Sequence, residues 1–376
     1  MNENCEYKKI IYLDNAATTW IKPPIIIKKV NSYFNEFWGS PKRTYCGDDI
    51  IEDIRATVSR FIDCPHVVFT SGATFGMNVV INSLKCGEHV ITTNCEHHCV
   101  YRPLHHLKIK YGIEYDIVDY IDSYSQINPD SIFSKIKNNT KMVIMTHASN
   151  VTGAIFDVEN IGRELKNRRI TFIVDASQTA GIVDVSLKTL NANIVVFSAH
   201  KHLYGLPGLG ILGFDGTFDL CPVIFGGTGK KSSLMYQPTE LPEFLETGTP
   251  NIPAILSLQA SMEYIEKNMA INNKHENELS NYFLSEIKKV TKMKLYMLES
   301  KKRTSTFSMN HSDFNPTLVV APYLLKNNII IREGLHCSPL IHKALGTYPQ
   351  GSIRVSFSAF TEKNDIDKFL NYIDAL

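Results

Sequence analysis

Short apolar runs alternate with longer amphipathic segments along the first two thirds of this chain. Six apolar runs are typical of buried strands: 66–70, 89–93, 113–119, 142–149, 170–177 and 194–200. Helical patterns lie between them, notably 71–84, which follows a turn, and 158–168. This alternation predicts an α/β fold with a mostly parallel sheet covered by helices on both faces. Ligands of such sheets bind at the carboxyl ends of the strands, so we expect the site there.

The pattern changes after ETGTPNIPAI (246–255). Residues 252–268 are predicted to form one long helix, and shorter, mixed elements follow. A chain of 376 residues is also long for a single core. We predict a large domain over 20–255 and a small C-terminal domain over 256–376, with residues 1–19 packing near the small domain.

Charge and composition exclude several classes of protein. The formal net charge is +1, which gives no large field for binding nucleic acid or an anionic membrane. No apolar run approaches the roughly 20 residues that span a bilayer, and charged residues interrupt the N-terminus where a signal peptide would be apolar. We therefore expect a cytoplasmic protein. Its eight scattered cysteines are expected to be reduced thiols.

Polar residues follow several predicted strands. Asp175 ends one of them, and burying its carboxylate is costly without a cationic partner. Lys201 lies just beyond another, where burial would lower the pKa of its amine and make it nucleophilic. Thr74 lies where a strand turns into a helix, a position that suits phosphate. Each also has a purely structural interpretation, such as a helix cap or a solvated side chain. Their combination favours a site.

Two motifs suggest other functions. GLPGLG (205–210) has the wrong glycine spacing for a dinucleotide loop and lies far from the first strand. CEHHCVYRPLHH (95–106) is rich in cysteine and histidine but lacks a second ligand cluster, so we predict no metal site.

Seven segments resemble those of class V aminotransferase-fold enzymes, in the same order from residue 12 to about 360: YLDNAATT, EHHCVYRPL, THASNVTGAI, VDASQTAG, FSAHKHLYGLPGLGIL, ETGTPNIPAI and REGLHCSPL. The resemblance is greatest to the cysteine desulfurase and selenocysteine lyase branch, in the group whose catalytic cysteine lies on a short loop. It implies the fold type I of pyridoxal phosphate (PLP) enzymes. In that fold a large PLP-binding domain has a mostly parallel seven-stranded sheet, and a smaller α/β domain carries the cysteine loop.

The resemblance implies roles around PLP. Lys201 is similar to the lysine that binds PLP covalently, and Asp175 to the carboxylate that keeps the pyridine nitrogen protonated. Gln178 is similar to the residue that bonds the ring phenolate oxygen, and His97 to a catalytic histidine stacked on the ring. Further cofactor contacts are implied for Ala73, Thr74, Asn150, Ser198 and His200, and for Thr249, which the family supplies from the neighbouring subunit of a homodimer.

The resemblance also implies the substrate contacts. Arg354 is similar to the arginine that binds the substrate carboxylate, and Asn150 lies beside the same substrate. Cys337 is similar to the cysteine that accepts sulfur, and Arg332 to an arginine near it. A free cysteine has a pKa of about 8.5 and needs activation at neutral pH. His336 and Arg332 are candidate sources of positive charge.

The function implied is a cysteine desulfurase, which converts L-cysteine to L-alanine and passes sulfur from a Cys337 persulfide to a thiol or an acceptor protein. One alternative is selenocysteine lyase chemistry. Another is a transaminase or epimerase in which Cys337 is incidental, and a third is a PLP-binding or sulfur-relay scaffold without catalysis. GSPKRTYCGDD (39–49) departs from the family, because Cys46 stands where a histidine is usual. Cys46 is interpreted as an exposed loop residue or as a second reactive thiol.

Overall fold

The computed structural model describes residues 10–35, 48–119, 127–296, 300 and 302–376. The strands are β1 (Ile11–Tyr12), β2 (His66–Thr70), β3 (His89–Thr93), β4 (Glu114–Val118), β5 (Thr140–Thr146), β6 (Thr171–Asp175), β7 (Ile194–Ser198), β8 (Gly210–Phe214), β9 (Met293–Leu295), β10 (Thr306–His311), β11 (Ile329–Ile330), β12 (Arg332–Gly334) and β13 (Ser352–Ser356).

The α-helices are α1 (Pro24–Asn35), α2 (Asp48–Phe61), α3 (Ala73–Asn82), α4 (His98–Tyr111), α5 (Pro129–Phe133), α6 (Val158–Asn167), α7 (Leu187–Leu190), α8 (Ile252–Ile287), α9 (Ala321–Lys326), α10 (Pro339–Ala344) and α11 (Lys363–Asp374). A π-helix covers Pro316–Val320. None of the helices within the described ranges is both long enough and apolar enough to cross a membrane.

A seven-stranded sheet has the strand order β2-β8-β7-β6-β5-β3-β4. All neighbouring strands are parallel except β8, which runs antiparallel to both β2 and β7. The predicted mostly parallel seven-stranded sheet is confirmed. The six apolar runs account for every strand of this sheet except β8. Its sequence, GILGF, is short and contains two glycines, so it lacks the enrichment in branched residues that marks a strand.

Two hydrophobic cores cover the two faces of this sheet. Successive residues of a strand point to opposite faces, and the side chains divide accordingly. Phe172 and Val174 of β6 pack in one core with residues of α2, α6 and α8, whereas Ile173 packs in the other with residues of α3 and α4. The continuous apolar strands reflect burial on both sides, as expected for a parallel sheet.

A third core lies against a four-stranded antiparallel sheet of order β12-β13-β10-β9. Strand β1 pairs in parallel with β11, so the N-terminal segment joins this C-terminal region.

The division into domains at 255/256 remains a prediction, and α8 runs continuously across that position. Cys46 lies outside the described residues.

Helix α8 begins at Ile252, where it was predicted, but ends at Ile287 rather than 268. Its first half packs in a core of the large sheet through residues such as Leu258 and Ile265. Its second half packs in the third core through Leu279, Phe283 and Ile287. The prediction stopped early because the polar stretch after 268 interrupts the apolar face, while contacts at both ends stabilise one helix.

Candidate active site

Most of the predicted site residues lie at or just after the carboxyl ends of strands of the large sheet. They meet Arg332, Cys337 and Arg354 of the C-terminal region around a cavity of about 280 Å³. The cavity is lined by Ala16, Ala17, Ala73, Thr74, His97, Cys99, Thr146, Asn150, Asp175, Ser177, Gln178, Ser198, His200, Lys201, Arg332, His336, Cys337 and Arg354. Every residue predicted for the site is therefore brought together except Thr249.

Thr249 is exposed and lines a different cavity, of about 270 Å³, beside Phe75 and Gly208. A larger cleft of about 1070 Å³ lies elsewhere, and none of the predicted site residues lines it. The candidate site is therefore identified by its titratable and nucleophilic side chains, and not by the volume of its cavity.

Asp175 is buried at the end of β6. Its Oδ1 accepts a hydrogen bond from the backbone N–H of Ser177, at 2.9 Å. Its Oδ2 lies 3.7 Å from the Sγ of Cys99, a buried residue in the first turn of α4. Burial raises the pKa of Cys99 well above its usual value, and the charge of Asp175 adds to this effect. Cys99 is therefore a neutral thiol against the carboxylate.

Lys201 follows β7 and its amine faces the same cavity. Burial lowers the pKa of this amine, and the negative charge of Asp175 partly opposes that shift. A lowered pKa provides more of the neutral amine at pH 7, which is the form that attacks a carbonyl carbon.

The histidines at this end of the sheet are neutral at pH 7. Burial, with a smaller effect of the Lys201 charge, lowers the pKa of both His97 and His200 to about 4. His97 precedes α4, and its Nδ1 accepts from the Cys99 N–H at 3.0 Å. The proton of the neutral ring is therefore on Nε2.

Arg354 lies in β13 and is buried. Its Nη2 pairs with Oδ1 of Asp14 at 2.5 Å, and its Nη1 donates to the backbone carbonyl of Asn150 at 2.8 Å. Its Nε is buried without a hydrogen-bond partner. The Nε donor of this buried guanidinium thus remains for an anion at the cavity.

Cys337 is exposed and lies on residues 335–338, between β12 and α10. The neighbouring His336 is buried, and its Nδ1 lies 3.2 Å from Nε2 of His342. Nδ1 of His342 is in turn 2.7 Å from the hydroxyl of Thr347. Burial, and secondarily the charge of Arg354, lowers the pKa of His336 well below its usual value. His336 is neutral and supplies no positive charge to Cys337, contrary to the sequence interpretation.

Comparisons with known proteins agree with this arrangement. The Aminotransferase class-V family model matches residues 11–369. The chain belongs to this family, in its cysteine desulfurase branch. A probable cysteine desulfurase of Pyrococcus abyssi is 30% identical over 98% of this chain and 94% of its own length. A cysteine desulfurase of Wigglesworthia glossinidia brevipalpis is 29% identical over 98% and 93%.

Solved structures give the same result. A cysteine desulfurase of Thermococcus onnurineus, solved in its apo form, superposes with a TM-score of 0.89 at 30% identity, over 97% of this chain and 94% of that one. The predicted family and PLP-enzyme fold type I are confirmed. Enzymes of this family depend on PLP.

Residues of the cavity fit PLP. Several residues that line it have buried polar atoms without hydrogen-bond partners, among them Nδ1 of His200, Oε1 of Gln178 and Oγ of Ser177. Gly72 precedes α3 and contributes no side-chain cap, and the Ala73 N–H donates to Oγ of Ser198 at 3.3 Å. The start of a helix suits a phosphate. A Cβ on Gly210 would lie 2.3 Å from the backbone carbon of Gly72, so glycine is required for β8 to approach that turn.

Sequence reasoning missed several cavity-lining residues, namely Ala16, Ala17, Thr146, Ser177 and Cys99. Among these, Cys99 carries a thiol. It was considered only within the cysteine- and histidine-rich stretch 95–106. The side chains of that stretch do not point to a common site, because Cys95 and Cys99 are buried while His105 and His106 are exposed. Within the described ranges, no group of three or more histidine, cysteine or acidic side chains is placed to bind a metal ion. Cys99 could have been predicted for the site from its position, because it follows the predicted site residue His97 by two residues.

Proposed function

We propose that this chain is a PLP-dependent cysteine desulfurase that converts L-cysteine to L-alanine and keeps the sulfur as a persulfide on Cys337. The observation that carries the proposal is the shared cavity, which brings an amine, a guanidinium and a thiol together at Lys201, Arg354 and Cys337. Removal of sulfur from an amino acid needs all three groups: an amine that acts as a base, a cation that binds the carboxylate, and a thiol that accepts the sulfur.

The large-sheet side of the cavity would hold PLP. Asp175 would bond the pyridine nitrogen, Gln178 the phenolate oxygen, and the start of α3 at Thr74 the phosphate, together with Ser198 and His200. The neutral ring of His97 suits stacking, because it carries no charge to be desolvated against a planar group. When bound, PLP withdraws electrons from the α-carbon of an amino acid.

The substrate would be oriented by its carboxylate. The unpartnered Nε of Arg354 supports this role, and the bonds from its other nitrogens to Asp14 and the Asn150 carbonyl hold the guanidinium in place. Charge-assisted bonds of this kind are among the strong ones in proteins. The amine of Lys201, with its lowered pKa, would then move a proton to or from the substrate α-carbon.

Sulfur transfer would take place at Cys337. Its thiolate forms a bond to the substrate sulfur while the Cβ–S bond breaks, and the carbon fragment keeps that electron pair and is protonated. The sum is one thiol and one L-cysteine giving one persulfide and one L-alanine, with no external oxidant or reductant. With His336 neutral, the guanidinium of Arg332 at the same cavity is the proposed source of the positive field that favours the thiolate.

Brief incubation with L-cysteine should place one added sulfur on the peptide that contains Cys337, measured by mass spectrometry after alkylation. Cys221 is an exposed thiol that lies outside the cavity and serves as the internal control, so its peptide should keep its mass. Added sulfur on Cys221 or on Cys46 instead of Cys337 would show that the nucleophile is misassigned.

We further propose a homodimer in which Thr249 contacts the phosphate of the partner subunit's PLP. In support, Thr249 is exposed and does not line its own chain's cavity. Apolar side chains are also exposed in the preceding stretch, at Ile224, Phe225, Met235 and Tyr236. Exposed apolar surface of this kind marks association sites.

Light scattering should therefore give twice the chain mass. Thr249→Asp should weaken PLP binding about tenfold or more, because the new carboxylate would face a phosphate. Thr247→Asp, which adds the same charge on the same segment, is the control and should bind PLP normally. A monomer that binds PLP and turns over cysteine would refute the shared site.

A further inference from the structure

We infer that Arg55 and Glu246 are positioning residues that hold the Thr249 segment in place for the active site of the partner subunit. The Thr249 segment comprises residues 246–251, which lead into α8. The inference rests on the proposed homodimer, in which Thr249 contacts the phosphate of the partner subunit's PLP. It assigns a role to an ion pair that does not line the cavity of the candidate site.

The two side chains form a largely buried, bidentate ion pair. Nη1 of Arg55 donates to Oε1 of Glu246 at 2.5 Å, and Nη2 donates to Oε2 at 3.1 Å. Only 12% of the Arg55 side chain and 8% of the Glu246 side chain are exposed. A bidentate bond between a guanidinium and a carboxylate fixes the orientation of the carboxylate as well as its position.

Strand β2, at an edge of the large sheet, binds both members of this pair. Nη1 of Arg55 also donates to the backbone carbonyl of Val67, at 2.9 Å. Oε1 of Glu246 also accepts from the backbone N–H of Phe69, at 2.6 Å. The guanidinium lies over the ring of Phe69, 4.6 Å from its centroid. The first residue of the Thr249 segment is therefore fixed against the large sheet.

The Thr249 segment is also fixed at its other end. Asn251 is the N-cap of α8, and its Oδ1 accepts a hydrogen bond from the first turn of that helix at 3.3 Å. Its Nδ2 donates to the backbone carbonyl of Gly208 at 3.4 Å. Thr249 lies between these two ends and is exposed. A segment that is already ordered in this way loses less conformational entropy when it contacts a partner.

Stability alone is a weak explanation for this ion pair. Removing two charges from water costs about as much free energy as their attraction gains, and apolar side chains of similar size often stabilise a fold as well. What the pair adds is a defined geometry. Because Glu246 precedes Thr249 by only three residues and lines the same cavity of about 270 Å³, that geometry constrains Thr249.

The first test measures the affinity of the homodimer for PLP, as the fraction of Lys201 that borohydride reduction labels at each PLP concentration. Arg55→Lys keeps the positive charge but loses the bidentate bond, so it should raise the Kd for PLP about threefold to tenfold. Glu246→Gln should give a similar rise. Arg60→Lys is the matched control, because Arg60 is an exposed residue of the same helix, and its Kd should be that of the wild type. An unchanged Kd in both Arg55→Lys and Glu246→Gln would refute the inference.

Mixed dimers separate an effect on the partner from local damage. In the first, one chain carries Lys201→Ala and Arg55→Lys, and the other chain is wild type. The remaining Lys201 receives Thr249 from the variant chain, so the Kd should rise as in the Arg55→Lys homodimer.

In the second mixed dimer, Lys201→Ala and Arg55→Lys are on separate chains. The remaining Lys201 then receives Thr249 from a chain with an intact Arg55, so the Kd should be within about twofold of the wild type. A rise here as large as in the Arg55→Lys homodimer would show that the ion pair acts on the site of its own chain, and would overturn the inference.

A double variant tests whether the ion pair acts through Thr249. Thr249→Ala removes the proposed contact itself, and Arg55→Lys should then weaken PLP binding no further. Additive losses would contradict the inference. A monomer in light scattering would refute both the shared site and the inference, whereas a raised Kd in the second mixed dimer would refute the inference alone.

Discussion

Lys201→Ala should abolish covalent attachment of PLP and lower alanine release from L-cysteine by about a thousandfold or more, since it removes both the nucleophilic amine and the proposed proton carrier. Burial lowers the pKa of Lys201, and the cavity places its amine with Asp175 and His97. The measurement is borohydride reduction followed by mass spectrometry of the Lys201 peptide, together with the rate of alanine formation.

Lys22 offers a matched control. Burial lowers its pKa to about 8, and its Nζ bonds the hydroxyl of Thr19 at 2.8 Å, next to the His200 carbonyl. It is thus a second lysine of reduced pKa near the site, yet it does not line the cavity. Lys22→Ala should retain the covalent link on Lys201. A reduced link found on Lys22 in the Lys201→Ala variant would show that the lysine is misassigned.

Cys337→Ala should lower alanine release from L-cysteine by about a hundredfold or more, because the substrate sulfur then has no nucleophile to accept it. The same variant should still bind PLP covalently and exchange the α-proton of L-alanine, since Lys201, Asp175 and Arg354 are unchanged. Selenocysteine has a weaker carbon–chalcogen bond and a better leaving group, so its turnover should fall less.

Cys221→Ala is the control for Cys337→Ala, because it removes an exposed thiol outside the cavity and should leave alanine release unchanged. Release of alanine from cysteine at the wild-type rate by Cys337→Ala would refute the assignment of the nucleophile. Another thiol would then have to accept the substrate sulfur, and Cys337 would be incidental.

The local pattern of apolar residues was enough to predict most strands of the large sheet. Runs such as 170–177 contain consecutive apolar residues, here Phe172, Ile173 and Val174, because both faces of the strand are buried, and helical patterns separate these runs. Strand β8 and the second half of α8 escaped prediction for the opposite reason. Their stability comes from neighbours: β8 pairs with β2 and β7, and α8 packs in a core formed by residues far along the chain.

The composition of the candidate site was predictable to a similar extent. Asp175 and Lys201 follow strands whose carboxyl ends must share one edge of a parallel sheet, so their proximity follows from strand order alone. Cys337 and Arg354 come from the C-terminal region, and only the family resemblance associated them with the same site. Their presence at one cavity depends on how that region packs against the large sheet.

The sequence by itself determined most of the strand and helix pattern, the family and the identity of most residues around the cavity. Tertiary structure decided the protonation states and the contacts of these residues. It makes His336 neutral, because burial penalises the charged ring, and it brings the thiol of Cys99 against Asp175. It also brings the guanidinium of Arg55 against the carboxylate of Glu246, which lies 191 residues further along the chain. A contact of this kind cannot be predicted from neighbouring residues in the sequence. Hydrogen bonding depends on which groups folding brings together, and desolvation on which groups it removes from water.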